Sequence, residues 1–165
     1  MSFETTSPSM HMATDSLPVM FDSASSSLQL PLRILLVEDD AADASLTQIA
    51  LDATNIPCDV MRLEKGDEVI PYLTKSSHLL PNVLPDLIML DLGLPKQDGF
   101  EIISELAALP AAMRNVPIVI LTGYEHFSYL TQHYQLWIPA YLNKPCDSVE
   151  MADVLSRIRR EKYKN

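Results

Sequence analysis

An aspartate at the end of an apolar run is the residue of this sequence best placed to do chemistry. Asp91 follows Leu87-Ile88-Met89-Leu90 and precedes Leu92-Gly93-Leu94-Pro95. The apolar run is typical of a buried parallel strand, and the Gly and Pro after it indicate a loop. A carboxylate at the carboxyl end of such a strand lies where open α/β sheets place their binding groups. It could attack a phosphorus atom and form an acyl phosphate, or it could simply cap the loop that follows.

Three further polar motifs occupy the same position after three other apolar runs. They are the acidic cluster Glu38-Asp39-Asp40 after Ile34–Val37, the hydroxyl of Thr122 after Ile118–Leu121, and Lys144-Pro145 after Tyr141–Asn143. A phosphoryl group can approach so many carboxylates only if a divalent cation is present, and Mg2+ suits an all-oxygen site. A fixed ammonium also stabilises transferred negative charge. Two acidic motifs, a hydroxyl and an ammonium at four strand ends therefore predict one phosphoryl-accepting site.

The elements that must position these residues alternate between strand and helix patterns. Strands are predicted over 33–37, 59–64, 87–90, 118–121 and 140–143, and helices over 41–54, 67–75, 100–109, 125–134 and 148–162. Five βα units predict a doubly wound, five-stranded parallel sheet with strand order 2-1-3-4-5. The core stripe of the first helix is predicted to be Leu46, Ile49, Ala50 and Ala53, and that of the last helix Val154, Leu155 and Ile158.

Taken together, the four motifs resemble the receiver domain of two-component response regulators over roughly residues 32–162. The stretches that carry the resemblance are Leu35–Asp40, Met89–Gly99, Val119–Gly123 and Tyr141–Pro145. Each stretch alone is weak, but all four in this order, with helical patterns between them, are specific. The resemblance implies a flavodoxin-like receiver fold. The lengthened stretch Ser76–Pro85 and the residues Tyr134–Ile138 are most similar to single-domain regulators that pair with phytochrome histidine kinases.

The resemblance also implies a set of metal ligands. Asp39 and Asp91 would coordinate Mg2+ directly, Gly93 would contribute its backbone carbonyl, and Glu38 would bind through water. Asp40 could belong to this set or could cap the first helix, and we favour the cap.

For the remaining site residues, the resemblance implies contact with the phosphoryl group or a response to it. Asp91 would be the phosphoacceptor. Lys144 would contact Asp91 and later a phosphoryl oxygen as a fixed positive charge, and the hydroxyl of Thr122 would donate a hydrogen bond to a phosphoryl oxygen. The Lys144-Pro145 bond is often cis in the family, and Gly123 would leave open space beside the site. Tyr141 matches the family's aromatic switch position, where the ring turns inward when the hydroxyl residue moves. An ordinary aromatic at the edge of the core is the competing interpretation of Tyr141.

The bulk properties exclude several classes of protein. A formal net charge of −10 argues against nucleic-acid binding through a basic face. The widely separated Cys58 and Cys146 fit free thiols in a reducing compartment. The sequence contains no run of 18 apolar residues and no secretory signal, so we expect no membrane span and a cytoplasmic location. Residues 1–31 lack Lys and Arg and are rich in Ser and Thr, which predicts a disordered extension before one domain over 32–165.

The function that the resemblance implies is that of a response regulator, which receives a phosphoryl group from a sensor histidine kinase. In this subfamily the kinase would be a phytochrome. Two other functions are alternatives. A Mg2+-dependent aspartyl-phosphate phosphohydrolase would need a second Asp two residues after Asp91, where this chain has Gly93. A binding module independent of phosphorylation is disfavoured because no acceptor-site residue is missing. We therefore expect a phosphoacceptor rather than an enzyme. Its output would be protein contacts, including a homodimer or a kinase contact on the face of the fourth helix, the last strand and the fifth helix, where Phe127, Tyr134 and Trp137 are expected.

Overall fold

Five parallel strands form the centre of the protein in its computed structural model, which describes residues 30–79, 84–95, 99–123 and 134–164. The strands are β1 (Leu32–Val37), β2 (Cys58–Leu63), β3 (Leu87–Asp91), β4 (Ile118–Thr122) and β5 (Ala140–Asn143). They are ordered β2-β1-β3-β4-β5, and each neighbouring pair is parallel. This confirms the predicted doubly wound fold and its strand order.

The described helices follow the predicted alternation, with one addition. They are α1 (Ala41–Ala53), α2 (Val69–Leu79), α3 (Gly99–Ala107), α4 (Ala111–Arg114) and α5 (Ser148–Lys162), with a 3-10 turn at Gly66–Glu68. The sequence did not predict α4, because four residues are too few to show a helical period. The helix predicted over 125–134 lies, except for its last residue, outside the described residues, as do residues 1–29 of the predicted N-terminal extension. No helix within the described ranges is long and apolar enough to cross a bilayer.

The core consists of two layers, one on each face of the sheet. Successive residues of a strand point to opposite faces, so Ile34 and Leu36 of β1 pack on one side and Leu35 and Val37 on the other. The first layer also contains buried residues of α1 and α5, and the second contains residues of α2, α3 and α4. Burial on both faces explains why the strands are continuous apolar runs.

The predicted stripe of α5 is confirmed, but the stripe predicted for α1 is largely wrong. The buried residues of α1 are Ala44, Thr47, Ala50 and Leu51. Leu46 and Ile49 are instead 46% and 64% exposed, and Ala53 is exposed as well. Apolar residues lie on more than one side of this helix, so their spacing does not decide its rotation. The small residues face the first core layer, where they allow α1 to approach the sheet closely.

Local hydrogen bonds and close packing fix the loops at the carboxyl end of the sheet. Asp40 caps α1 by accepting from the N–H groups of Ala42 and Asp43 at 2.7 and 2.9 Å, which confirms the predicted cap. Asp147 caps α5 in the same way. At the start of α3, a Cβ on Gly99 would lie 2.7 Å from the Cα atom of Leu92, so only glycine fits beside the loop that follows β3.

Candidate functional site

The carboxyl ends of four strands bring the four predicted motifs to one edge of the sheet. Glu38 and Asp39 follow β1, Asp91 is the last residue of β3, Thr122 is the last residue of β4, and Lys144 follows β5. The register pairs the ends of adjacent strands, with Asp91 opposite Leu121 and Thr122 opposite Asn143 (Cα partners). Parallel pairing therefore gathers residues from distant parts of the chain.

Lys144 lies at the centre of this group and contacts three carboxylates. Its Nζ atom is 2.8 Å from Oδ2 of Asp91, 2.6 Å from Oε2 of Glu38 and 2.9 Å from Oδ2 of Asp43. The Asp91 contact is the one that the family resemblance implied. No role for Asp43 was predicted from the sequence, although its place in the first turn of a helix that begins at the site was a usable signal. An ammonium has three donors and no acceptor, so three carboxylate partners match its bonding capacity.

These contacts shift the ionisation of the buried groups. Burial on its own lowers the pKa of Lys144, but the hydrogen bonds with Asp91 and the other two carboxylates outweigh burial and raise this pKa well above its usual value. For Glu38, burial raises the pKa, and the pairing with Lys144 offsets only part of that rise. Lys144 is therefore a fixed positive charge at neutral pH.

Three carboxylates at this edge form an arrangement that suits a metal ion. One oxygen from each of Glu38, Asp39 and Asp91 lies within 4.8 Å of the others. Glu38 is fully buried, and the Nζ atom of Lys144 lies 2.6 Å from its Oε2 atom. Buried carboxylates are stable only close to positive charge, and a single ammonium shared by several of them favours a further cation. Because the donors are all oxygens, the group fits a hard divalent ion such as Mg2+ or Mn2+.

The orientation of Asp91 is set from two sides. Its Oδ1 atom accepts a hydrogen bond from the backbone N–H of Gly93 at 2.9 Å, while Oδ2 accepts from Lys144. Only 6% of the residue is exposed. The carboxylate is therefore held in one position at the mouth of the site.

The β4 and β5 ends provide a hydroxyl, open space and an aromatic ring. Thr122 is buried, and a Cβ on the adjacent Gly123 would meet no described atom within 4 Å, while the open space predicted beside it stays a prediction. The backbone N–H of Lys144 donates to the carbonyl of Thr122 at 2.9 Å, and the Lys144-Pro145 peptide bond is cis, as the resemblance implied. Tyr141 is half-buried and packs against the second core layer. Its role as a switch stays a prediction.

The model of the response regulator receiver domain family matches residues 34–156. The chain belongs to this family. That membership agrees with the sheet order, with the acidic group after β1 and with the lysine after β5. It also gives the chain its class, a phosphoacceptor module of two-component systems, which is generally not counted among the enzymes.

This receiver domain is related to regulators associated with phytochromes. It is 34% identical to the response regulator Rcp1 of Synechocystis sp. over 114 residues, which cover 69% of this chain and 77% of Rcp1. Among solved structures, the bacteriophytochrome response regulator AtBRR is 30% identical, with a TM-score of 0.65 and coverage of 79% of this chain and 94% of that one. The phosphorylated cyanobacterial phytochrome response regulator RcpA is 31% identical, with a TM-score of 0.59 and coverage of 79% and 93%.

One of these relatives is also similar in a metal-bound form. The Mn2+-bound form of Rcp1 is 32% identical, with a TM-score of 0.55, and the similarity covers 81% of this chain and 94% of that one. The acidic group of Glu38, Asp39 and Asp91 is the described cluster of this receiver domain that could hold such an ion.

Proposed function

We propose that this receiver domain takes a phosphoryl group from the phosphohistidine of a sensor histidine kinase onto Asp91 and signals through contacts with other proteins. The observation that carries the proposal is the position of the Asp91 carboxylate. It is 2.8 Å from the Lys144 ammonium and within 4.8 Å of the carboxylates of Glu38 and Asp39. A nucleophile, a fixed cation and a group suited to a metal ion thus lie within one site.

In the proposed transfer, an oxygen of Asp91 attacks the phosphorus atom as the P–N bond of the phosphohistidine breaks. The imidazole keeps the electron pair and takes up a proton, and the product on Asp91 is an acyl phosphate. The hydrogen bonds from Gly93 and Lys144 hold the carboxylate in place before the donor arrives, so little reorganisation accompanies the reaction. Lys144 then stabilises the negative charge on one phosphoryl oxygen, and the Thr122 hydroxyl donates a hydrogen bond to another.

Asp39, Asp91 and the backbone carbonyl of Gly93 would hold Mg2+ directly, and Glu38 would do so through water. The ion supplies positive charge that neutralises the oxygens of the transferred group. Glu38 is suited to an indirect role because it is fully buried and already pairs with Lys144, whereas Asp39 is exposed.

Output would begin with the movement of Thr122 toward the phosphoryl group. We propose that Tyr141 follows into the space that Thr122 leaves, which changes the surface near β5 and α5. Trp137 lies just before β5 with 41% of its surface exposed, and an exposed aromatic of this kind is a suitable anchor for a homodimer or a kinase contact. Phe127, another aromatic expected on this surface, lies outside the described residues.

The kinase partner would be a phytochrome, as the names of two structural relatives of this chain, AtBRR and RcpA, suggest for those proteins. Hydrolysis of the acyl phosphate would be slow self-dephosphorylation rather than enzymatic turnover. The phosphohydrolase alternative needs an acid two residues after Asp91, and Gly93 cannot supply one.

Acetyl phosphate with Mg2+ tests the acceptor directly. Intact-mass spectrometry should show one added phosphoryl group on the wild type and none on Asp91→Asn. The matched control is Asp59→Asn, because Asp59 is an exposed aspartate near the start of β2, far along that strand from the site. Modification of the Asp91→Asn protein would contradict the assignment. Phosphotransfer profiling against purified histidine kinases, phytochromes included, then tests the partner.

Asp39→Ala tests the metal assignment. The variant should bind Mg2+ more weakly than the wild type, because a direct ligand is lost. Unchanged Mg2+ affinity by calorimetry would mean that Asp39 is not a ligand.

A further inference from the structure

Arg62 connects the edge strand β2 to the acidic loop that follows β1. Its Nε atom donates to the backbone carbonyl of Glu38 at 2.9 Å, and its Nη2 atom donates to the carbonyl of Asp39 at 2.7 Å. Its Nη1 atom lies 3.5 Å from Oε1 of Glu64. Two successive carbonyls of one loop are therefore bound by a single guanidinium.

The guanidinium binds the backbone carbonyls that follow the last paired residues of β1. Val37 and Leu63 are the last paired residues of β1 and β2, and the N–H of Glu38 still donates to the carbonyl of Leu63 at 3.0 Å. Beyond this bond, no strand among the described residues pairs with the loop carbonyls. A planar fork with fixed donor directions fits two neighbouring carbonyls, which the compact ammonium of a lysine cannot match.

The position of the Asp39 carboxylate depends on this part of the backbone. Among the described residues, no side chain donates a hydrogen bond to that carboxylate, and Asp39 is exposed. Glu38 is held by its burial and by the N–H of Asp40, which donates to its Oε1 atom at 3.1 Å. The peptide planes that Arg62 binds are those on the carbonyl side of both acidic residues. Fixing these planes limits the directions in which the two side chains can point.

We propose that Arg62 is a positioning residue for the divalent-metal site, which it orders through the backbone of Glu38 and Asp39 without touching the ion. The inference rests on the proposed function, because it assumes that these carboxylates bind a metal. A simple electrostatic effect of Arg62 would act in the opposite direction. A positive charge close to a cation site opposes cation binding, so removing Arg62 would strengthen metal binding if its charge were all that mattered. Positioning predicts the opposite sign.

Arg62→Lys separates the two effects because it keeps the charge and removes the fork. We expect the dissociation constant for Mg2+ to rise about three- to tenfold, the factor that corresponds to roughly one net hydrogen bond. Arg62→Gln removes the charge as well and should also bind Mg2+ more weakly than the wild type. Titration calorimetry with Mg2+, and electron paramagnetic resonance with Mn2+, measure binding without any phosphotransfer. The matched control is Arg157→Lys on α5, where the arginine contacts Asp153 and the carbonyl of Pro139.

Chemical rescue makes the test specific for the guanidinium. Millimolar ethylguanidinium should restore part of the Mg2+ affinity to Arg62→Ala and leave Arg157→Ala unaffected, whereas general destabilisation would not be reversed in this way. Unchanged or tighter Mg2+ binding in Arg62→Lys, or rescue absent in folded Arg62→Ala, would overturn the inference. A wild-type protein that binds no Mg2+ would instead overturn the metal assignment of the proposed function.

Discussion

Replacing Lys144 by methionine removes the cation that three carboxylates share while keeping a side chain of similar length. The ammonium lies 2.6–2.9 Å from oxygens of Glu38, Asp91 and Asp43. Exposed fractions of these side chains decide how much each contact matters. They are 0% for Glu38, 9% for Asp91, 14% for Lys144 and 40% for Asp43. The two buried carboxylates would therefore dominate the response.

Removal of one partner from a buried ion pair costs about 3–5 kcal/mol, because the other partner stays buried without compensation. The exposed pair with Asp43 adds only about 0–1 kcal/mol. Water reaches part of Lys144, so the loss should fall below the full buried value. We expect Lys144→Met to lower the free energy of unfolding by about 2–4 kcal/mol at neutral pH without metal. For a urea m-value of about 2 kcal/mol per molar, the unfolding midpoint would fall by roughly 1–2 M.

The pH dependence of this loss has a definite sign. In the wild type, the raised pKa of Lys144 means that its stabilising contribution is complete below the ordinary lysine pKa and is lost only in strongly alkaline solution. In the variant, Glu38 has lost its cation, and burial keeps its folded-state pKa raised. A raised carboxyl pKa makes the folded state bind the proton more tightly than the unfolded state. The stability deficit of the variant should therefore shrink as the pH falls through the folded-state pKa of Glu38.

Urea unfolding monitored by circular dichroism, in EDTA at pH 7.5 and again at pH 5.5, measures both effects. Added Mg2+ should restore part of the stability of Lys144→Met, because a cation then faces the carboxylates again and binds only the folded state. Lys65→Met is the matched control, since the exposed Lys65 is paired only loosely with Glu68 at 3.7 Å among the described residues. A Lys144→Met protein as stable as the wild type in EDTA, or a deficit that grows toward pH 5.5, would refute the reasoning.

Two further predictions concern other parts of the molecule. Burial alone would raise the pKa of Asp86, but the hydrogen bonds from Arg33 and Lys162 outweigh burial and lower it. Asp86→Asn should therefore cost about 1–3 kcal/mol at pH 7 in urea unfolding. This difference should fade as the pH drops from the ordinary aspartate range through the lowered pKa, and equal stability at pH 7 would contradict it. For the contact surface, wild type and Trp137→Ala are each sedimented with and without beryllofluoride. Beryllofluoride should change the oligomeric state of the wild type but not that of Trp137→Ala. A monomer in all four samples would exclude Trp137 as a dimer anchor.

Much of the fold and part of the site were determined by the sequence alone. The buried strands are continuous apolar runs, so β3 and β4 were predicted to within a residue of each end. The predicted cap Asp40 accepts from N–H groups two and three residues away, and this is a local property that a short motif records. Parallel order then followed from the alternation of strands with helices, and this order already places Asp91 and Lys144 at the same edge.

The tertiary structure decided which partners those residues have. The rotation of α1, which exposes Leu46 and Ile49, depends on which face packs closely on the sheet, and mixed apolar spacing does not encode that choice. Asp43 meets Lys144 across 101 residues of sequence, and Arg62 reaches the carbonyl of Glu38 across 24. Contacts of this kind depend on side-chain direction and on the distance between packed elements. A motif specifies its own local backbone, whereas a long-range hydrogen bond exists only after the whole sheet has been assembled.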